Sequence, residues 1–307
     1  MNSPQGYLGG RLIPVSEMAI PVTDAGFSLG TTVTEQLRTF SGEIFELDRH
    51  LQRLKRSLEI VGVKPVESLS EISEIAQSIV QNNYPLLAPG DDLGLTLFVT
   101  AGNLPRFQNG KRSDPCLGMH TFPLPFQLWR EKYVRGQSLV VTEIEQVATQ
   151  CWPAELKCRS RMHYFLADQS ASRIAPGSRA LLLNADGHVI ETTTANIILY
   201  KRNQGLVTPP REIALPGISL LYVQALAKEL GVDWNYRVIL PEEVAQADEV
   251  LLSSTPFCLL PVTSFNGIPI KDGYPGPLFT QLVQAWSVRI GVEIVAQANR
   301  FAERNGV

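Results

Sequence analysis

The alternation of apolar and polar positions divides this chain into recognisable pieces. Residues 33–40 and 44–47 flank Ser41-Gly42 and predict a hairpin. Before them, "GYLGGRLIP" gives two short extended pieces about Gly9-Gly10. Leu51, Leu54, Leu58 and Val61 then recur at helical spacing, with Asp48 as the expected N-cap. A second helix starts at Ser68, where Glu71 completes a capping box and Ile72, Ile75 and Ile79 share one face. "LGLTLFVTAG" reads as a buried strand. The polar stretch "GNLPRFQNGKRSDP" after it is too long for a simple turn, and loops of that kind often carry function.

Across residues 123–136 the pattern breaks, because "PLPFQLWREKYVRG" interrupts the strands with proline. The boundary expected there separates a small N-terminal α/β domain (1–125) from a larger C-terminal domain (126–307). The C-terminal part is rich in strands, at 138–142, 179–183, 188–191, 196–200, 233–239 and 249–252, with helices at 160–173, 217–230 and 277–290. Turns at Asp186-Gly187 and Asn266-Gly267 are strong hairpin signals. The fold class is mixed α/β in two domains, without internal repeats.

Composition narrows the function. The 307 residues are 44% hydrophobic and 19% charged, as in ordinary globular proteins. A net charge of −3 leaves no basic footprint, which argues against nucleic acid as the main partner. No apolar run approaches the roughly 18 residues of a membrane span. The N-terminus "MNSPQGYLGG" lacks a signal-peptide pattern, so a cytoplasmic location is expected. Cys116, Cys151, Cys158 and Cys258 lack metal-type spacing; buried free thiols are expected, and no metal site.

Several positions bear chemistry. Lys157, in "ELKCRSRMHYFLAD", opens a predicted helix beside Arg159 and Arg161, whose charges favour a neutral amine. Glu191 ends a strand and precedes the small polar run "TTTAN". An imine-forming lysine and a carboxylate able to hold a ring nitrogen protonated are what a pyridoxal phosphate enzyme requires. In "ALPGISLLYVQALAKELG", the amides of Ile218 and Ser219 open a helix, where dipole and free N–H groups favour a phosphate. Thr255, beside Ser254, follows a buried strand and offers a hydroxyl. Arg53, in the cation-dense "DRHLQRLKRS", is a candidate phosphate clamp if turned inward, and His50 reads as a helix-surface residue. Taken singly, each also has an ordinary reading: surface lysine, strand-end glutamate, capped-helix serine, solvated arginine.

Together these residues make the chain similar to the class IV aminotransferases, the fold type IV pyridoxal phosphate enzymes. That group holds branched-chain aminotransferase, D-amino-acid aminotransferase and aminodeoxychorismate lyase. The resemblance runs from "TDAGFSLGTTVTEQLRTFSGEIFELDRHLQRL" to "DEVLLSSTPFCLLPV", with several motifs in the family's order. It implies a small N-terminal domain, a larger β-rich pseudo-barrel domain carrying Lys157, pyridoxal 5'-phosphate between them, and a homodimer. It further implies that Lys157 forms the Schiff base and shuttles the proton, that Glu191 binds the pyridine nitrogen, and that Arg53, Ile218, Ser219 and Thr255 hold the phosphate. Asn196 would be structural.

On the substrate side the resemblance is mixed. Arg106 matches the arginine that holds the substrate carboxylate in D-amino-acid aminotransferases, whereas their histidine two positions later is Gln108 here. Thr34 stands where the relatives have tyrosine or phenylalanine, which implies a wider or more polar pocket. The interval from Lys157 to Glu191 is similar to that of branched-chain enzymes, but their tyrosine after the lysine is Met162, and Tyr164 would replace it only through a register shift. Arg161 is similar to the lyase, and "SSTP" to the transaminases. The expected activity is amino transfer between an amino acid or amine and a 2-keto acid; the alternative is elimination of pyruvate from aminodeoxychorismate.

Overall fold

The two extended pieces about Gly9-Gly10 are strands β1 (Gln5–Leu8) and β2 (Arg11–Pro14). Both turn residues have positive φ, 54° and 88°, which glycine adopts without a Cβ penalty. The computed structural model describes residues 3–107 and 114–304, which fall into two compact units. One unit runs to Leu124 and takes in Leu156–Ser160; the other holds Pro125–Glu155 and continues from Arg161.

The first unit continues with a short helix α1 (Ala25–Ser28), strands β3 (Thr32–Phe40) and β4 (Glu43–Ile44), helices α2 (Leu47–Val61) and α3 (Leu69–Asn83), and strands β5 (Leu93–Thr100) and β6 (Cys116–Pro123). Among the described residues they form one sheet in the order β2-β1-β6-β5-β3-β4. Alternate residues of β3 and β5 (Val33, Leu37, Leu95, Leu97) face the apolar stripes of α2 and α3 at Leu54, Leu58, Ile72 and Ile79. Each such buried side chain contributes roughly 1.5–3 kcal/mol. The Ser68–Glu71 capping box forms as the sequence predicts. Asp48 does not cap α2. The cap is Glu46 in a left-handed conformation, so the helix starts one residue before Asp48.

On the opposite face of this sheet, the Phe122 and Phe98 rings lie across neighbouring strands at Gly94 and Gly118. A Cβ on either glycine would fall within 2.2 Å or 2.1 Å of the ring. Glycine here makes room for an aromatic lying flat against the sheet.

The second unit comprises α4 (Arg130–Arg135), β7 (Gln137–Val141), α5 (Met162–Ile174), β8 (Arg179–Leu183), β9 (Val189–Thr192), β10 (Ala195–Lys201), β11 (Gly205–Thr208), α6 (Ile218–Glu229), β12 (Trp234–Tyr236), α7 (Pro241–Ala245), β13 (Glu249–Ser254), β14 (Cys258–Phe265), β15 (Ile268–Pro269), α8 (Pro277–Ile290) and α9 (Ile294–Phe301). The run β10-β13-β14-β7-β8-β9 closes on itself because β9 also pairs with β10, through Thr192–Ala195 and Glu191–Asn196. This is the expected pseudo-barrel. Ala167 and Ala171, one turn apart, bring α5 close to Val140, Ala180 and Leu182 of β7 and β8. Strand β14 escapes sequence reading because Pro261 stands inside it. That proline precedes Val262, the first residue to pair with β7, so its missing N–H disturbs only one side of the strand.

Candidate active site

Lys157 is held by its backbone. Its N–H donates to Ser57 Oγ at 3.2 Å, and its carbonyl accepts from the Thr34 N–H at 3.0 Å. Arg159 N–H donates to the Thr32 carbonyl, and Cys158 bridges Val33, so residues 157–159 run beside β3 as a short extra strand. The lysine therefore does not open a helix, since α5 begins only at Met162. It also groups with the N-terminal unit, where sequence placed it in the C-terminal domain. The physical reason is the β-bridge: pairing with β3 captures the segment.

Beneath this segment lies a buried ionic cluster. Glu35 sits on the core-facing side of β3, between Val33 and Leu37. Its Oε1 accepts from Arg53 Nε at 2.8 Å, and its Oε2 from Arg53 Nη2 at 2.7 Å. His50 Nδ1 lies 2.7 Å from the same Oε2. His50 is not a surface residue: it is fully buried, and its Nε2 has no hydrogen-bond partner among the described residues. Burial alone would raise the Glu35 carboxyl, but the Arg53 charge and the hydrogen bonds from Arg53 and His50 hold it well below the usual carboxylate range. Burial lowers His50 from 6.5, and the nearby Arg53 and Lys157 charges add to that, against Glu35.

Both shifts make the folded chain a poorer proton acceptor than the unfolded one. Stability is therefore expected to fall as pH drops through the ordinary histidine range, and further through the carboxylate range. Thermal midpoints measured from about pH 7.5 down to about pH 5 would show the first part. His50→Gln, which keeps a donor without titrating, should flatten that slope, and an unchanged slope would count against the assignment.

In the second unit Glu191 lies within β9 and is buried. Its Oε1 accepts from Gln146 Nε2 and from Tyr164 Oη, each at 2.7 Å. His163 Nε2 lies 2.8 Å from Gln146 Oε1. Tyr164 is thus directed at the glutamate, while Met162 is 70% exposed. The loop after Glu191 is pinned separately. Arg179 Nη2 donates to Thr193 and Thr194, and Thr193 donates to Asp168.

The same unit brings together the residues expected to hold a phosphate. Gly217 is the N-cap of α6 and supplies no side-chain bond, so the first-turn amides of Ile218 and Ser219 point out of the helix end. The Ser219 and Thr255 hydroxyls, both buried, lie 3.2 Å apart. Asn196 shapes the approach by donating its amide to the Leu215 carbonyl at 2.8 Å. A Cβ on Gly217 would come within 2.0 Å of Asn196 Oδ1. Gly217→Ala is therefore expected to displace Asn196 and destabilise the protein by roughly 1–3 kcal/mol. Urea unfolding would measure this, and a loss below about 0.5 kcal/mol would contradict the geometry.

Thr34 is buried and donates its hydroxyl to the Leu97 carbonyl at 2.9 Å, which ties it to the neighbouring strand. Arg106 is exposed in a single helical turn, Pro105–Phe107. The start of its loop is anchored: Ala25 N–H donates to Gly102, Leu104 N–H to Thr23, and Thr23 Oγ1 to Asn103. Gln108 lies outside the described residues. The cysteines are free thiols, but only Cys258 is buried, and Cys151 is exposed. No described helix is long and apolar enough to cross a membrane. Sequence reading missed Glu35, Gln146 and the burial of His50. The signal for Glu35 was present, since a carboxylate between Val33 and Leu37 interrupts an apolar strand face.

A match to the family described as amino-transferase class IV spans residues 32–265. The D-alanine aminotransferase of Bacillus licheniformis is 31% identical over 270 residues, covering 88% of this chain and 91% of that protein. The branched-chain-amino-acid aminotransferase of Escherichia coli (strain K12) is 26% identical over 292 residues, covering 91% of each. In fold, the crystal structure of the Escherichia coli branched-chain enzyme superposes with a TM-score of 0.85 at 23% identity, covering 96% of both chains. The T.th. branched-chain enzyme with pyridoxamine 5'-phosphate gives 0.83 at 20% identity, covering 97% of this chain and 98% of that one. A family match over most of its length, with the family's fold in both units, makes this chain a class IV aminotransferase.

Proposed function

We infer that the protein is a pyridoxal 5'-phosphate-dependent aminotransferase that moves an amino group between an amino acid and a 2-keto acid. The family assignment carries this reading, and the pyruvate-eliminating alternative is not favoured. The residues present suit the cofactor. A helix end without a side-chain cap and two buried hydroxyls match a phosphate, and a carboxylate braced by two donors matches a pyridine nitrogen. When bound, the cofactor supplies an aldehyde that takes up amines and a ring that withdraws electrons from the substrate's Cα.

The chain does the rest. Lys157 would hold the cofactor through its amine and would move the proton at the substrate's Cα. Glu191 holds the ring nitrogen. The Ile218 and Ser219 amides, with the Ser219 and Thr255 hydroxyls and Arg53, hold the phosphate. Thr34 and Arg106 act on the substrate, Arg106 on its carboxylate. The protein works as a homodimer in the cytoplasm. Met162, Phe165 and Leu166, exposed along one face of α5, support a partner surface, and the free thiols suit a reducing compartment.

The deciding experiment is a half-reaction screen of the cofactor-loaded protein with D-amino acids, L-amino acids and simple amines. Conversion to the pyridoxamine form is expected with at least one donor class. Failure with all of them, alongside pyruvate release from aminodeoxychorismate, would overturn the reading.

A further inference from the structure

The hydrogens around Glu191 can be assigned from one backbone group. Val147 N–H donates to Gln146 Oε1 at 3.1 Å, so that atom is the amide oxygen, and the amide nitrogen is what faces Glu191. An amide oxygen only accepts, so His163, 2.8 Å from the same atom, carries its hydrogen on Nε2. Tyr164 Oη donates its single hydrogen to Glu191 Oε1 and accepts from Gln146 Nε2 at 3.4 Å. The result is a directed relay: His163 to Gln146, Gln146 to Glu191, and Tyr164 to Glu191. Every donor in it points toward the carboxylate.

Each element of the relay is restrained. Tyr164 and His163 are consecutive in the first turn of α5, with ring centroids 4.2 Å apart. Gln146 N–H donates to the Leu183 carbonyl at 2.8 Å, which fixes the loop against the end of β8. Burial and the Glu191 charge push the Tyr164 phenol well above 10, so it stays a donor across the working range. Burial and Arg161 lower His163, so its ring is neutral near pH 7 in the tautomer the relay needs.

We propose that Gln146 and Tyr164 are positioning residues for Glu191: their two hydrogen bonds to Oε1 fix the carboxylate in one rotamer and hold it ionised, so that the proton shared with a bound pyridine ring stays on the ring nitrogen. The proposal rests on Glu191 being the ring nitrogen's partner. A carboxylate and a pyridine nitrogen compete for one proton, and each donor to the carboxylate biases the competition toward the ring. One hydrogen bond to a charged group shifts such a balance roughly tenfold or more. Tyr164 is therefore committed to Glu191, while Met162, two residues before it, stands exposed.

The test uses full-length protein loaded with pyridoxal phosphate isotopically labelled at the ring nitrogen. Glu191→Gln provides the neutral-ring reference. Tyr164→Phe, which removes one oxygen, and Gln146→Met, which removes the donor at similar volume, should both keep the absorbance band of lysine-bound cofactor. Their ring-nitrogen NMR resonance should move toward the reference, and kcat should fall roughly tenfold with little change in KM. If Gln146→Met does not fold, Tyr164→Phe decides alone. A normal band with an unmoved resonance overturns the positioning role and leaves the aminotransferase reading intact. Unaltered protein that never takes up the cofactor overturns both.

Discussion

Glu35→Gln is expected to destabilise the protein by about 3–5 kcal/mol, the usual effect of removing one partner from a buried ion pair. Glutamine has nearly the same shape, so the loss comes from charge and donor polarity rather than volume. Glu35 accepts three hydrogen bonds, two from Arg53 and one from His50. Turned either way, the amide sets an N–H₂ group against at least one donor. The arginine keeps its charge without its carboxylate, and the histidine keeps its burial without its acceptor. Chemical unfolding of the cofactor-loaded variant and the unaltered protein measures the difference. A loss under about 1 kcal/mol would show that surrounding groups, not Glu35, satisfy Arg53.

Lys157→Ala should separate chemistry from fold. The segment's ties to Ser57 and Thr34 run through the lysine's own N–H and carbonyl, which alanine keeps. Stability should therefore change by no more than about 1 kcal/mol. Under the role proposed for Lys157, amino transfer should fall by at least roughly 10³-fold, because the variant would lack both the bonding amine and the proton carrier. The lysine-bound absorbance band should vanish as well. A variant retaining a tenth of the activity would move the catalytic role to another residue.

How much of this was readable in advance depended on whether the physics is local. The Ser68–Glu71 capping box, the Gly9-Gly10 turn and the Asp186-Gly187 hairpin are decided by residues within a few positions of each other, and each appears in the sequence. The Ser219–Thr255 contact was half legible, because a proline-glycine lead into an apolar helix marks an anion-ready end. His50 was misread because its neighbours Arg49, Arg53, Lys55 and Arg56 gave the helix a solvated look. Its spacing with Leu51, Leu54, Ser57 and Leu58 in fact puts it on the buried stripe. The Gln146–Tyr164–Glu191 relay could not be seen at all. It joins an irregular loop, a helix start and a strand, and no period in the sequence links them.

The closure of the barrel has a mechanical consequence. Its seam is two residue pairs long, far shorter than the β10–β13 or β13–β14 ladders, and one of those pairs is Glu191–Asn196. Glu191, proposed to meet the ring nitrogen, and Asn196, beside the helix end proposed for the phosphate, face each other across the barrel's thinnest line of hydrogen bonds. A ligand gripped there acts as a clasp, stabilising the closed barrel by mass action. Emptied protein should open first along 189–196, with amide exchange in that stretch quickening before the rest of the barrel loosens. Under the proposed cofactor assignment, cofactor retention and barrel integrity would be read in one measurement.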